Sequence, residues 1–182
     1  MAQGLTGPDG KSVPMSGFRD TSEFGFVQAL ESSFDDVLAE LGELTENDFI
    51  ESPDSLTTIR DGYNETGWRY FDLFGESEDF SANRERCPKT TQACAEVPGM
   101  VNAGFSLFRP GTHLYPHSGE MNAILRCHLP IIIPSGDLGL RIDGETRVWE
   151  PGRCMIIDDS FEHDAWNRGD GDRVVLLVSF KQ

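Results

Sequence analysis

Apolar positions along the chain fall into two regimes. Near the N-terminus they recur at helical spacing. "TSEFGFVQALESSFDDVLAELGEL" places Phe24, Val27, Leu30, Phe34, Val37, Leu38 and Leu41 on one stripe. That spacing predicts an amphipathic helix, with Thr21 or Ser22 as its cap and Gly42 as its stop. From residue 101 the period shortens. "VNAGFSLF", "AILRCHLPIII", "LGLRID", "TRVWE", "RCMIID" and "RVVLLVSF" are short apolar runs punctuated by Pro and Gly, and they predict strands. Between the two regimes, "GWRYFDLFG" reads as a strand between glycines, and "RERCPKTTQACAEV" holds a short helix after Pro88. Residues 1–19, rich in Gly, Pro and Ser and without period, predict a flexible arm. Helix first and strands later predict a mainly β fold, a jelly-roll core with N-terminal helices packed on one side. The expected organisation is a single domain over 20–182, helical over about 20–60 and β over about 62–180.

Composition narrows this picture in three places. With 182 residues, 38% of them hydrophobic, the chain can bury one core. It has no apolar run long enough to span a bilayer, and its start lacks the basic and apolar segments of a signal peptide, so a cytoplasmic protein without membrane insertion is expected. A net charge of −16 argues against a general nucleic-acid binder, which needs clustered Lys and Arg, and fits a role in solubility. The same acidity makes arginines at apolar, internal positions conspicuous. Cys87, Cys94, Cys127 and Cys154 show no zinc-type spacing and are expected as free thiols, the last two in the core.

Strand alternation then singles out residues. In "ILRCHLP", Ile124, Arg126 and His128 share one face, while Leu125, Cys127 and Leu129 take the other. In "RVVLLVSF", Arg173 shares a face with Val175, Leu177 and Ser179. An arginine on the inner face of a barrel requires an anionic partner, since an unpaired buried charge is costly. A solvent-facing strand would explain either arginine alone, but His128 two residues after Arg126 favours a pocket. His117 in a turn before the first strand, and His163 in "DDSFEHDAW" before the second, are placed to converge at one mouth of the barrel. Two histidines beside two inward arginines point to a metal with an anionic co-ligand.

Several motifs, in order and spacing, resemble the aspartyl/asparaginyl β-hydroxylase family: "CPKT", "GWRYFDLFG", "RPGTHLYPHSG", "NAILRCHLPIIIP", "TRVWEPG" and "IIDDSFEHDAWN…DRVVLLV". The resemblance spans roughly residues 62–180 and implies a double-stranded β-helix (cupin-like) oxygenase fold. It implies Fe(II) as the metal, 2-oxoglutarate as cosubstrate and O2 as oxidant, with release of succinate and CO2 as a small or amino-acid-like substrate is hydroxylated. It further implies that His117 and His163 hold the iron. Arg173, helped by Ser106, would bind the distal carboxylate of 2-oxoglutarate, and Arg126 and His128 its other end and part of the substrate.

Most such iron sites add a carboxylate two residues after the first His, where this chain has Gly119. The family resembled has Gly there too, with water in the vacated position, and Asp159 is the candidate to hydrogen-bond that water. Glu120 is a weak substitute ligand, and His113 is expected to support the turn. Trp68 is a candidate for the substrate mouth, and Trp149 is expected in the core. The chain departs from the animal members at two positions, Ile124 where they carry Arg and Arg109 where they carry His. Both are therefore expected to shape substrate choice, with Ile124 suiting a substrate less negative than aspartate. Two other classes fit the same residues: a metal-dependent cupin-type isomerase and a non-catalytic ligand-binding barrel.

Overall fold

The computed structural model describes residues 17–52, 58–60, 67–75, 79–119 and 124–182. In chain order its strands are β1 (Phe18–Arg19), β2 (Ile50–Glu51), β3 (Thr58–Arg60), β4 (Trp68–Phe74), β5 (Met100–Phe108) and β6 (Thr112–His117). They continue with β7 (Ile124–Ile132), β8 (Gly136–Ile142), β9 (Glu145–Arg147), β10 (Met155–Ile157), β11 (His163–Gly169) and β12 (Arg173–Lys181). The helices are α1 (Val27–Ser32), α2 (Phe34–Leu41), α3 (Ser81–Arg86) and α4 (Pro88–Ala95). The strands form two antiparallel sheets: a seven-stranded one in the order β1-β10-β7-β12-β5-β4-β2, and a five-stranded one in the order β3-β6-β11-β8-β9. This is the double-stranded β-helix, or jelly roll.

Two apolar cores follow from the alternation of side chains. Leu125, Cys127 and Leu129 of β7, with Leu176 and Val178 of β12, face outward from the seven-stranded sheet and pack on Val27, Leu30, Val37 and Leu41 of the helices. The opposite face of the same sheet meets Leu114, Leu140 and Ala165 of the five-stranded one. The helices therefore lie on one side, as the hydrophobic pattern predicts.

Several element boundaries differ from those predicted. The helical run is split into a 3-10 turn (Thr21–Glu23), α1 and α2. Ser32 and Ser33 donate their hydroxyls to the carbonyls of Gln28 and Leu30, both at 2.7 Å, and this local bonding competes with helix continuation. Asp20, rather than Thr21 or Ser22, caps the first turn, accepting from the Ser22 N–H at 2.9 Å. Gly42 does close α2. Phe18 and Arg19 pair with Ile157 and Ile156, so the predicted arm ends before them, and its remainder lies outside the described residues. The stretch expected to be helical up to residue 60 contains β2 and β3, while α3 and α4 fall within the region expected to be all β. Pro88 opens α4 as predicted. All four cysteines are free thiols. Burial pushes Cys87 up to about 11 and Cys94 up to about 12, which leaves both protonated and inert.

Candidate active site

Between the sheets lies a cavity of about 460 Å³ that takes one wall from each. The inner face of the seven-stranded sheet contributes Trp68, Ser106, Ile124, Arg126, His128 and Arg173, and the five-stranded sheet contributes His117 and His163. Alternation along β7 and β12 thus selects the residues that the cavity brings together.

His117 and His163 are register partners on β6 and β11, with ring centroids 4.2 Å apart. They stand at strand ends, as expected, as the last residue of β6 and the first of β11 rather than in the adjoining turns. Each Nδ1 donates to a carbonyl two residues back, Tyr115 O at 2.7 Å and Phe161 O at 2.9 Å. With Nδ1 protonated, each Nε2 keeps its lone pair, which is the tautomer a metal requires. Burial holds the His163 pKa below its ordinary value, favouring the neutral ring. Among the described residues no group of three or more His, Cys, Asp or Glu converges on a metal position. The donors that do converge are two imidazoles, a pair that could hold a divalent transition metal.

His117 reaches the cavity through a β-bulge. The pairing of β6 with β11 shifts between the His163–His117 and Ala165–Leu114 partners, so β6 spends one extra residue at Tyr115–Pro116. By simple alternation His113 and His117 share a face. With the bulge, His117 turns inward and His113 stays outside, 3.3 Å from Asp164, which also accepts two bonds from Arg141 at 2.7 and 3.0 Å. His113 is thereby kept out of the cavity.

The glycine at 119 also has a steric reason. A Cβ there would lie 2.9 Å from the carboxyl carbon and Oδ2 of Asp159, and the Gly119 N–H donates to the Asp159 carbonyl at 2.7 Å. The Asp159 carboxylate, 4% exposed, occupies the space a residue-119 side chain would need. It also accepts from Arg126 Nε, while Arg126 Nη1 donates to Ser179 at 3.0 Å. Arg126 is thus a paired cation that orients Asp159 beside the histidines.

At the closed end, Arg173 is 2% exposed. Its guanidinium carbon sits 3.7 Å from the Phe108 ring centroid and 4.7 Å from that of Trp149, and its Nε has no hydrogen-bond partner among the described residues. Burial pushes its pKa down to about 9. Beside it, Trp149 Nε1 donates to His128 Nδ1 at 3.2 Å. An indole can only donate, so His128 carries its proton on Nε2 and offers it to the cavity. Burial, followed by the charges of Arg173, Arg126 and His163, pushes His128 down to about 3, so it is a neutral donor. Ser106 accepts from Trp68 Nε1 at 3.0 Å. A buried cation without a carboxylate partner among the described residues and a neutral imidazole donor form a receptor for a carboxylate.

One expectation is corrected. Arg109 is not on the cavity wall. It lies just past the end of β5, pairs with Glu46, and donates its backbone N–H to the Gly67 carbonyl at 2.9 Å, so it ties that strand end to the N-terminal segment. Trp149, expected in the core, is buried there and at the same time lines the cavity, its ring nearly coplanar with that of His128, 10° apart, through their hydrogen bond. Sequence reasoning also missed Tyr70, which the alternation in "GWRYFDLFG" would have placed on the same face as Trp68. Glu120 lies outside the described residues.

Fold and site together define a double-stranded β-helix barrel with a two-histidine centre and a buried cation at its closed end. The family model for aspartyl/asparaginyl β-hydroxylase matches residues 31–182, and the chain belongs to that family. It is 36% identical over 165 residues to the ornithine lipid ester-linked acyl 2-hydroxylase of Rhizobium tropici, covering 88% of this chain and 59% of that protein. It is 34% identical over 119 residues to the aspartyl/asparaginyl beta-hydroxylase of Mus musculus, covering 61% of this chain and 16% of that protein. The chain thus spans about three fifths of the first relative and about a sixth of the second. A prolyl-4-hydroxylase crystal structure from Pseudomonas putida aligns with a TM-score of 0.48 at 14% identity, over 92% of this chain and 94% of that one.

Proposed function

We propose that the protein is an Fe(II)- and 2-oxoglutarate-dependent hydroxylase acting on an amino-acid-like or other small substrate. The observation that carries this reading is the joint presence, in one cavity, of two imidazoles with free Nε2 atoms and a buried arginine lacking a carboxylate partner among the described residues. His117 and His163 would hold the iron, which when bound supplies the oxygen chemistry that protein side chains lack. Arg173 would take the distal carboxylate of 2-oxoglutarate between its two aromatic rings. His128 would donate to the cosubstrate from Nε2, and Arg126 keeps the Asp159 carboxylate turned toward the histidines, where it can accept from a water. Trp68, Phe108 and Trp149 exclude bulk solvent from the closed end.

Ile124 stands on the cavity wall, where a charged side chain would favour an acidic substrate. The Rhizobium relative is named for an ester-linked acyl group, which is uncharged, and that chemistry suits Ile124 better than a peptidyl aspartate does. The test is 2-oxoglutarate turnover with iron under air, followed as succinate and screened across amino acids, peptides and acyl compounds. Succinate is expected from the wild-type protein and is expected to vanish in His117→Ala and His163→Ala. Conversion of a screened compound without oxygen and without succinate formation, surviving Arg173→Met, would identify an isomerase instead.

A further inference from the structure

Both tryptophans on the cavity wall use their one polar atom in the same way. Trp149 Nε1 donates to His128 Nδ1 at 3.2 Å, and Trp68 Nε1 donates to Ser106 Oγ at 3.0 Å. Both bonds are buried, and their acceptors belong to polar side chains that line the closed end together with Arg173. The indole rings serve a second purpose there. The Arg173 guanidinium carbon lies 4.7 Å from the Trp149 ring centroid and 3.7 Å from that of Phe108. Trp68 in turn stands T-shaped against Phe108, with centroids 5.5 Å apart.

An indole N–H donates and never accepts, so each of these bonds occupies an acceptor and leaves a donor. A neutral His128 has one ring lone pair. With that pair taken at Nδ1, its proton stays on Nε2, toward the cavity. Ser106 accepts at Oγ and keeps its hydroxyl proton, which meets no protein acceptor among the described residues. Arg173 has donors alone. Three neighbouring groups of the closed end therefore offer N–H or O–H to whatever enters it.

We propose that Trp68 and Trp149 are positioning residues that set this polarity, so that the closed end takes an ionised carboxylate and rejects the corresponding amide. On the hydroxylase reading, on which this rests, the distal carboxylate of 2-oxoglutarate occupies that end. A carboxylate has only acceptors and meets all three donors. A carboxamide of the same shape brings an NH2 group that would face a donor and stay unpaired. Without the Trp149 N–H, nothing holds the His128 proton on Nε2, and the ring can present a lone pair to that NH2. Without the Trp68 N–H, the Ser106 oxygen regains a free lone pair for the same use.

The experiment uses butyrate, which carries the distal end of 2-oxoglutarate alone, and butyramide, its neutral counterpart. Both are titrated by NMR into the full chain labelled with 15N-histidine, so that one sample reports binding and the His128 tautomer. The wild type is expected to show the Nε2–H tautomer and to prefer butyrate by about 100-fold. Trp149→Phe keeps a ring beside Arg173 and removes the N–H. It is expected to divide His128 between its tautomers and to reduce the preference about ten-fold. Trp68→Phe is expected to leave the tautomer unchanged and reduce the preference about three-fold. A purely structural role would weaken both ligands alike and leave their ratio untouched. A ratio unchanged in both variants, or a His128 that keeps the Nε2–H tautomer in Trp149→Phe, overturns the proposal. A wild type with the expected tautomer and preference that never binds 2-oxoglutarate, with or without added Zn(II), overturns the hydroxylase reading instead.

Discussion

Arg173 concentrates the conflict between stability and function in a single side chain. A buried guanidinium without a carboxylate costs the unliganded fold several kcal/mol, and its two aromatic neighbours offset only part of that. Arg173→Met is therefore expected to leave the protein as stable as the wild type, or more stable by about 1–4 kcal/mol, in urea unfolding without ligand. The same change is expected to weaken 2-oxoglutarate binding by about 100-fold, read from the fluorescence of Trp149 and Trp68 beside it. A loss of both stability and binding would show that Arg173 serves the core. Gly119 gives a second residue-scale prediction. Gly119→Asp introduces the carboxylate spacing common among iron sites, yet its side chain would enter space held by Asp159. It is expected to reduce metal binding, measured by the visible absorption of added Co(II). Combining it with Asp159→Gly, which vacates that space, is expected to recover part of the binding.

Among the elements, α2 and α4 show how the helical layer is fastened. Glu40 of α2 accepts from the N–H groups of Lys89 and Thr90 at 2.8 Å each and from the Thr90 hydroxyl at 2.7 Å. It thus satisfies the free donors at the start of α4 and places its charge at the favourable end of that helix. Glu40→Ala is expected to cost about 1–2 kcal/mol in urea unfolding without changing ligand binding, because the layer lies on the face of the sheet away from the cavity. The bulge in β6 matters as much to the site. Its extra residue makes His117 a cavity residue, and Pro116 within it has no N–H to donate to a regular ladder. Pro116 is thus a local mark of a broken ladder, but alternation alone, which does not register an extra residue, puts His113 and His117 on one face.

For the molecule as a whole, the excess of 31 acidic over 15 basic residues decides its response to pH. Asp20, Asp48, Asp79 and Asp137 all have pKa values lowered in the fold, chiefly by hydrogen bonds from Ser22, Arg86, Ser81 and Trp166 respectively. A carboxylate whose folded pKa is depressed contributes stability above its unfolded value, about 4, and that contribution is lost as pH falls through the folded pKa. Thermal midpoints are therefore expected to fall steeply below about pH 4. At neutral pH, where the chain carries −16, added salt is expected to raise them by screening self-repulsion. A midpoint that stays level down to about pH 2 would show that these bonds do not discriminate between the folded and unfolded chain.

Much of the fold and half of the site are legible in the residues, for a local reason. Strand side chains alternate with a period of two, so "ILRCHLP" by itself groups Ile124, Arg126 and His128, "RVVLLVSF" groups Arg173 with Val175, Leu177 and Ser179, and the cavity contains Ile124, Arg126, His128 and Arg173. The helical stripe likewise assigns Val27, Leu30, Val37 and Leu41 to burial. Pairing and packing decided the rest, because they depend on what lies across a sheet or a cavity. Register turned His117 inward and left His113 outside. The approach of Asp159 accounts for a glycine at 119, and the position of Glu46 draws Arg109 away from the cavity. Trp149 reached the cavity wall because His128 stands opposite it. A side chain's face is a property of its own strand, whereas its partner is set only when distant strands meet.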